Sequence, residues 1–284
     1  MSINDQLTVK RIVKKSGSSF YWGMNILENE KKRAMFALYC FCRFVDDIAD
    51  SSKNRLEKSN DLNIWKKKIK LVYKNKTSDF LTRELLVLIK KFSVEQRDFF
   101  SIIDGMKMDV DEKIVFPSRK KIELYCDRVA GAVGCISVKI FGINEPIGRD
   151  YAIYLGRAFQ LTNILRDLRE DCERNRCYVP YDYISKYKLD KLSPKELINT
   201  SKFRKIIDEL IAETKEYYKL SKDLSLDLDP KKIRASELMR EIYEKTFEKI
   251  CKSNNLTFKK VKLNKIEKFL IIIKKMIRSY NFKF

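Results

Sequence analysis

Apolar residues recur at intervals of three and four along most of the chain, and few turn-forming residues interrupt them. This periodicity predicts helices over 32–50, 57–75, 78–91, 94–109, 119–141, 148–172, 201–224, 231–253 and 262–280. Pro117-Ser118, Ser193-Pro194 and Asp229-Pro230 each set a cap or a first-turn proline at the head of a periodic segment. With 8 Gly and 5 Pro, the sequence lacks the turn signals that a many-stranded sheet needs. No linker, repeat or low-complexity tail breaks the series. The expectation is an all-α fold, a single domain over 1–284, long enough to enclose a cavity.

Two segments depart from simple amphipathicity. Ala34 to Val45 is apolar on nearly every side, so it reads as a buried helix, and it runs directly into Asp46-Asp47-Ile48-Ala49-Asp50. In the second, Gln160, Asn163, Asp167 and Asp171 form a polar stripe at i, i+3, i+7 and i+11, while Phe159, Ile164, Leu165 and Leu168 occupy the rest of the helix. Each segment stacks two aspartates at i and i+4 on one face. Such carboxylates repel each other and lose hydration if they turn inward, so the arrangement calls for cations. Two facing pairs suit a Mg²⁺ cage for diphosphate, since Mg²⁺ takes one or two carboxylates and completes its octahedron with water and phosphate oxygens. A solvated acidic face is the ordinary alternative for either pair alone. Arg43 stands three and four residues before Asp46 and Asp47, within reach of a carboxylate or a substrate phosphate. Ala130, Gly131, Ala132 and Gly134 form a small-residue patch within 119–141, which implies either tight helix packing or room for a bulky substrate with a helix kink.

Composition narrows the chemistry. There is no histidine, which excludes Ser-His-Asp and Cys-His triads, a His-ligated zinc and a histidine base. The seven cysteines lack zinc-site spacing and read as reduced packing residues. The polar N-terminus and the absence of an apolar run of membrane-spanning length lead to the expectation of a cytoplasmic protein. The formal charge of +21 raises nucleic-acid binding, but the lysines are spread along the chain and no nucleic-acid motif accompanies them, so none is expected. Phe258 to Phe284 is the exception, with nine Lys/Arg against Glu267 alone and Ile266, Leu270, Ile273 and Ile277 at helical spacing. It reads as the last helix of the fold, and peripheral contact with an anionic membrane stays open.

The segments Tyr39 to Asp50 (Y-C-F-C-R-F-V-D-D-I-A-D), Tyr125 to Gly134 (Y-C-D-R-V-A-G-A-V-G) and Gln160 to Pro180 (Q-L-T-N-I-L-R-D-L-R-E-D … R-C-Y-V-P) resemble the squalene/phytoene synthase family, in the family's order. Within it, S-G-S-S-F-Y-W, Y-C-D-R-V-A and L-T-N-I-L-R-D-L-x-E-D resemble most the bacterial presqualene diphosphate synthases of hopanoid pathways, with phytoene synthases next. The resemblance implies an isoprenoid-synthase helical bundle around a deep central cavity. It implies head-to-head, Mg²⁺-dependent condensation of two farnesyl diphosphates to presqualene diphosphate, with Mn²⁺ as a substitute ion. Reduction onward to squalene with NADPH stays open, as does phytoene formation from geranylgeranyl diphosphate. By the same resemblance, Asp46, Asp50, Asn163, Asp167 and Asp171 are the metal set, and Tyr125 joins the aspartates as catalytic. Ser19, Arg43, Gln160, Asn163, Arg166, Tyr243 and Lys260 are the substrate-binding set. The family's second N-terminal serine position falls on Gly17, and Tyr125 and the departed diphosphate are equally open as proton acceptor. The non-enzymatic alternative is a basic scaffold that binds membrane or RNA and makes no use of the aspartates.

Overall fold

Helices form where the apolar periodicity runs, and local side chains fix their ends. A computed structural model of the protein describes residues 3–18, 20–112 and 114–253, together with 261, 263, 264, 266–268, 270, 271 and 273. The elements are α1 (Ile3–Lys15), α2 (Phe20–Asn25), α3 (Asn29–Asp50), α4 (Arg55–Tyr73), α5 (Phe80–Phe92), α6 (Gln96–Asp111), α7 (Arg119–Cys126), a π-helical turn (Asp127–Gly131), α8 (Ala132–Phe141), α9 (Pro146–Glu173), α10 (Tyr181–Ser185), α11 (Pro194–Leu197), α12 (Phe203–Ser225) and α13 (Arg234–Lys252). Among the described residues no strand forms beyond the isolated bridge Val115–Cys177. No described helix is long and apolar enough to cross a membrane.

Capping boxes at Asn54–Glu57 and Asp79–Thr82 start α4 and α5, each cap worth ~1 kcal/mol. Ser118 and Ser193 cap α7 and α11 as their positions predict. Three expectations need correction. The segment 119–141 is not one α-helix, because the π-turn interrupts it after Cys126. The helix expected over 231–253 begins at Arg234, since Asp229 spends its carboxylate on Lys231 N within a turn and the helix starts without a side-chain cap. An N-terminal helix, α1, forms in a segment whose polar composition gives weak periodicity; Val9 and Val13 anchor it in the core, and Arg83 pairs bidentately with its Asp5. The helix expected over 262–280 lies for the most part outside the described residues, as do Ser19 and Lys260.

Two large apolar clusters hold the bundle, with a small third one of Leu238, Met239, Ile242 and Leu263 beside them. One joins α1, α3, α4, α5, α6 and α8, and the other joins α7, α9, α12 and α13. α9 touches both, through Tyr151, Ala152 and Leu155 on one side and Leu161, Leu165 and Leu168 on the other. The Val115–Cys177 bridge matters for position: Cys177 N–H donates to Ile114 O at 2.9 Å and Phe116 N–H to Cys177 O at 3.1 Å. This ties the α6–α7 connection to the turn after α9 and brings Arg176 and Tyr178 beside the end of α6. All seven cysteines are free, and burial pushes the thiols of Cys40 and Cys42 up to about 12, as inert packing residues require.

The small-residue patch explains how α8 and α9 approach. A Cβ on Gly156 would lie 2.7 Å from Gly131 N and 2.8 Å from Gly131 Cα, and one on Gly134 would lie 2.8 Å from Ala152 O. Those neighbours are backbone and cannot swing aside. Tight packing is therefore one reason for the patch, and Ala130 and Gly134 also line the central cavity. Gly156→Ala should destabilise by ~1–3 kcal/mol through overpacking, seen as a thermal midpoint several degrees lower by circular dichroism. An unchanged midpoint would show that the two helices can separate freely.

Candidate active site

The last turns of three helices meet at one place. α3 ends with Asp46 and Asp50, α6 with Asp109, and α9 with Asp167 and Asp171. A helix C-terminus carries partial negative charge, so Asp50, Asp109 and Asp171, in the last turns, sit where an anion is least favoured and a cation most favoured, with Asp46 and Asp167 one turn further in. Their fields overlap. Asp46 is acted on by Asp50 and Asp109, and Asp171 by Asp167 and Asp109. Arg176 lies among Asp50, Asp109 and Asp171 and so links the two pairs. Burial, then Asp50, pushes the Asp46 carboxyl up to about 6; burial, then Asp167, pushes Asp171 up to about 7.

Asp109, Arg176 and Tyr178 complete this arrangement, and sequence reasoning did not single them out. Tyr125 and Tyr178 donate to the two oxygens of Asp109 at 2.9 and 2.7 Å, with their rings stacked at 5.2 Å. Burial raises Asp109 against these two donations, and burial raises Tyr125 well above its usual range. Asp109 has no acidic residue four positions away in its helix, so it gave no pair signal. Arg176 and Tyr178 lie inside the R-C-Y-V-P segment, which was the available clue.

Asp46, Arg43, Gln160 and Tyr125 line a polar chamber together with Ser18 and Asp109. Phe20, Tyr39, Cys42, Val129 and Gln160 line both this chamber and an apolar cavity of about 260 Å³, so the two adjoin across shared walls. The cavity runs between α8 and α9, with Asn163 and Tyr243 on its wall and Phe141 and Tyr151 farther along those helices. Phe20, Phe159 and Tyr243 form an aromatic cluster, the last two stacked at 4.2 Å. Asp50, Asp167, Asp171 and Arg166 are not among the lining side chains and join through the shared field. Arg166 grips Asp167 with Nε at 3.0 Å and Nη2 at 2.6 Å, and Arg43 reaches Asp46 at 3.5 Å and Asp47 at 2.6 Å. Near the N-terminus, Gly17 adopts φ +64°, a left-handed value suited to glycine, and the turn places Ser18 on the polar chamber; Tyr39 donates to Ser16 Oγ at 3.0 Å.

A hard divalent cation fits these donors. All are oxygens, burial and neighbouring carboxylates raise Asp46 and Asp171, and Asn163 Oδ1 is buried without a hydrogen-bond partner while its amide donates to Gln160 Oε1 at 3.3 Å. Among the described residues no three carboxylates or thiols converge closely enough to hold an ion alone. An ion here would need water and ligand oxygens to complete its sphere.

The profile of the squalene/phytoene synthase family matches residues 13–267. A presqualene diphosphate synthase of Rhodopseudomonas palustris is 38% identical over 228 residues, covering 80% of this chain and 81% of that protein. One from Zymomonas mobilis is 36% identical over 267 residues, covering 92% and 90%. The solved structure of a dehydrosqualene synthase in complex with ligand superposes with a TM-score of 0.85 at 26% identity, covering 99% of this chain and 98% of that one.

The raised carboxyls make stability depend on pH. Asp171 and Asp46 bind protons more tightly when folded than when unfolded, where aspartate titrates near ~3.9. Between about pH 4 and about 7 the folded state therefore carries the extra protons, and stability falls as pH rises through that window. In metal-free buffer, Asp171→Asn should raise the thermal midpoint at pH 8 and leave it unchanged near pH 4. Equal midpoints at pH 8 would show that Asp171 is not strained by its neighbours.

Proposed function

The chain belongs to the squalene/phytoene synthase family, and on that premise we propose that it condenses two farnesyl diphosphates head to head to presqualene diphosphate. The observation that carries the reading is that a polar chamber lined by Asp46, Asp109 and Arg43 adjoins an apolar cavity across shared walls, which matches a substrate that is charged at one end and hydrocarbon at the other. The relatives named presqualene diphosphate synthase support the product.

Mg²⁺, or Mn²⁺ in its place, fits the donor set of Asp46, Asp50, Asn163, Asp167 and Asp171, and bound there it would act as a Lewis acid that neutralises the leaving diphosphate. Arg43 and Arg166 would bind diphosphate oxygens, each trading part of its present carboxylate contact, and Gln160 and Asn163 would orient the same group. Ser19 and Lys260 belong to the same proposed binding set. The faces of Phe20, Phe159 and Tyr243 would stabilise the allylic cation and keep water from it. Closing the cyclopropane releases a proton. Tyr125 Oη would accept it while passing its own to Asp109, whose raised carboxyl makes it a better base than an ordinary aspartate. The protein would act in the cytoplasm, with peripheral membrane contact to receive its lipid substrates.

Incubation with Mg²⁺ and farnesyl diphosphate should yield diphosphate and presqualene diphosphate, and the latter should accumulate without NADPH. Added NADPH tests for reduction to squalene. Asp46→Asn and Asp167→Asn should each lower turnover at least ~100-fold, beyond the 10–100-fold typical of groups that only orient metal ligands, with helical circular dichroism intact. Near-normal turnover in both variants would defeat the metal assignment. Farnesyl diphosphate should be preferred over geranylgeranyl diphosphate; efficient phytoene formation with little use of the shorter chain would replace the product while keeping the chemistry.

A further inference from the structure

An unbroken α-helix rotates ~100° per residue, so on one continuous helix Gly134, Ser137 and Phe141 would point roughly 120–180° away from Tyr125. Yet Tyr125 lines the polar chamber, and those three residues line the apolar cavity that opens from it. The π-turn Asp127–Gly131 removes the conflict. Ala132 N–H donates to Asp127 O, five residues back, and the extra residue takes out one step of rotation, ~100°.

A π-turn is rare and needs external support. Here it comes from Arg157 on α9, whose Nε and Nη2 donate to Asp127 Oδ1 and Oδ2 at 2.6 and 2.8 Å. The guanidinium also donates to Tyr217 Oη at 3.3 Å and lies 5.3 Å from that ring's centroid, which fixes its plane. Asp127 opens the π-turn two residues after Tyr125, and neither Asp127 nor Arg157 lines either chamber. Close by, the Gly156–Gly131 approach seats the other end of the turn against the same helix.

We propose that the Asp127–Arg157 pair is a positioning device for Tyr125. It clamps the π-turn to α9, and so keeps the Tyr125 hydroxyl on Asp109 while the Gly134–Phe141 stripe faces the cavity. Without the clamp the segment relaxes toward regular α-helix, and either the tyrosine or the stripe turns away. The proposal rests on the prenyl-transfer reading above for the meaning of Tyr125.

The test is Arg157→Gln measured alone and with Tyr125→Phe. The single variant should lose kcat by ~100-fold, the scale of an ångström-size misplacement, with KM for farnesyl diphosphate changed little, since no substrate-lining group is touched. In the Tyr125→Phe background the same substitution should cost little more, because its effect passes through the missing hydroxyl. Unchanged kcat per folded molecule, whatever the thermal midpoint, overturns the proposal, and so does an equal loss in both backgrounds. Should Arg157→Gln fail to fold, Asp127→Asn keeps the shape, removes the charge and makes the same comparison. If the wild type itself turns over no prenyl diphosphate, the functional reading falls, and the crystal structure of Arg157→Gln decides the positioning claim alone: an intact π-turn with Tyr125 still bonded to Asp109 overturns it.

Discussion

Like charge confined at converging helix ends is the constraint on which the rest of this protein depends. Asp50, Asp109 and Asp171 occupy the last turns of α3, α6 and α9, where the helix carbonyls already point the same way, and Asp46 and Asp167 stand one turn behind them. Burial and repulsion raise several of these carboxyls. The surrounding structure supplies only partial compensation, through Arg43, Arg166 and Arg176. A site strained in this way is stabilised by what it binds, and under the proposed function that ligand is a divalent cation with a diphosphate.

Holding the charges together falls to the apolar bundle. α3 is anchored by Phe36, Phe41 and Val45, and α9 by Leu161, Leu165 and Leu168, all buried. The same helices line both the polar chamber and the apolar cavity, so in the proposed function the two ends of the substrate would lie along the same rods. This economy requires that α8 come very close to α9, which glycines at 131, 134 and 156 permit.

Much of this was legible along the chain. The helices over α3 to α6 and over α9 and α12 follow from periodicity, because the apolar residues each of them buries recur at helical spacing. The aspartate pairs at i and i+4 announced themselves, as did the stripe of Gln160, Asn163, Asp167 and Asp171. The cleft in 119–141 did not, since Asp127 to Gly131 carries no breaker that differs from an ordinary small-residue patch. Asp109 was likewise silent, being one of several aspartates in α6, none of which has another at i+4.

The sequence by itself determined which segments are helical and which carboxylates share a face, because both follow from a period of 3.6 residues that is local to each helix. Only the tertiary structure decided that Asp109 joins two pairs from distant helices, that Arg176 reaches all three groups through the Val115–Cys177 bridge, and that Arg157 holds a π-turn two residues from Tyr125. Those are contacts between segments far apart in the chain, and no local periodicity specifies them; they exist because the bundle brings three helix ends and one strained turn to the same cavity.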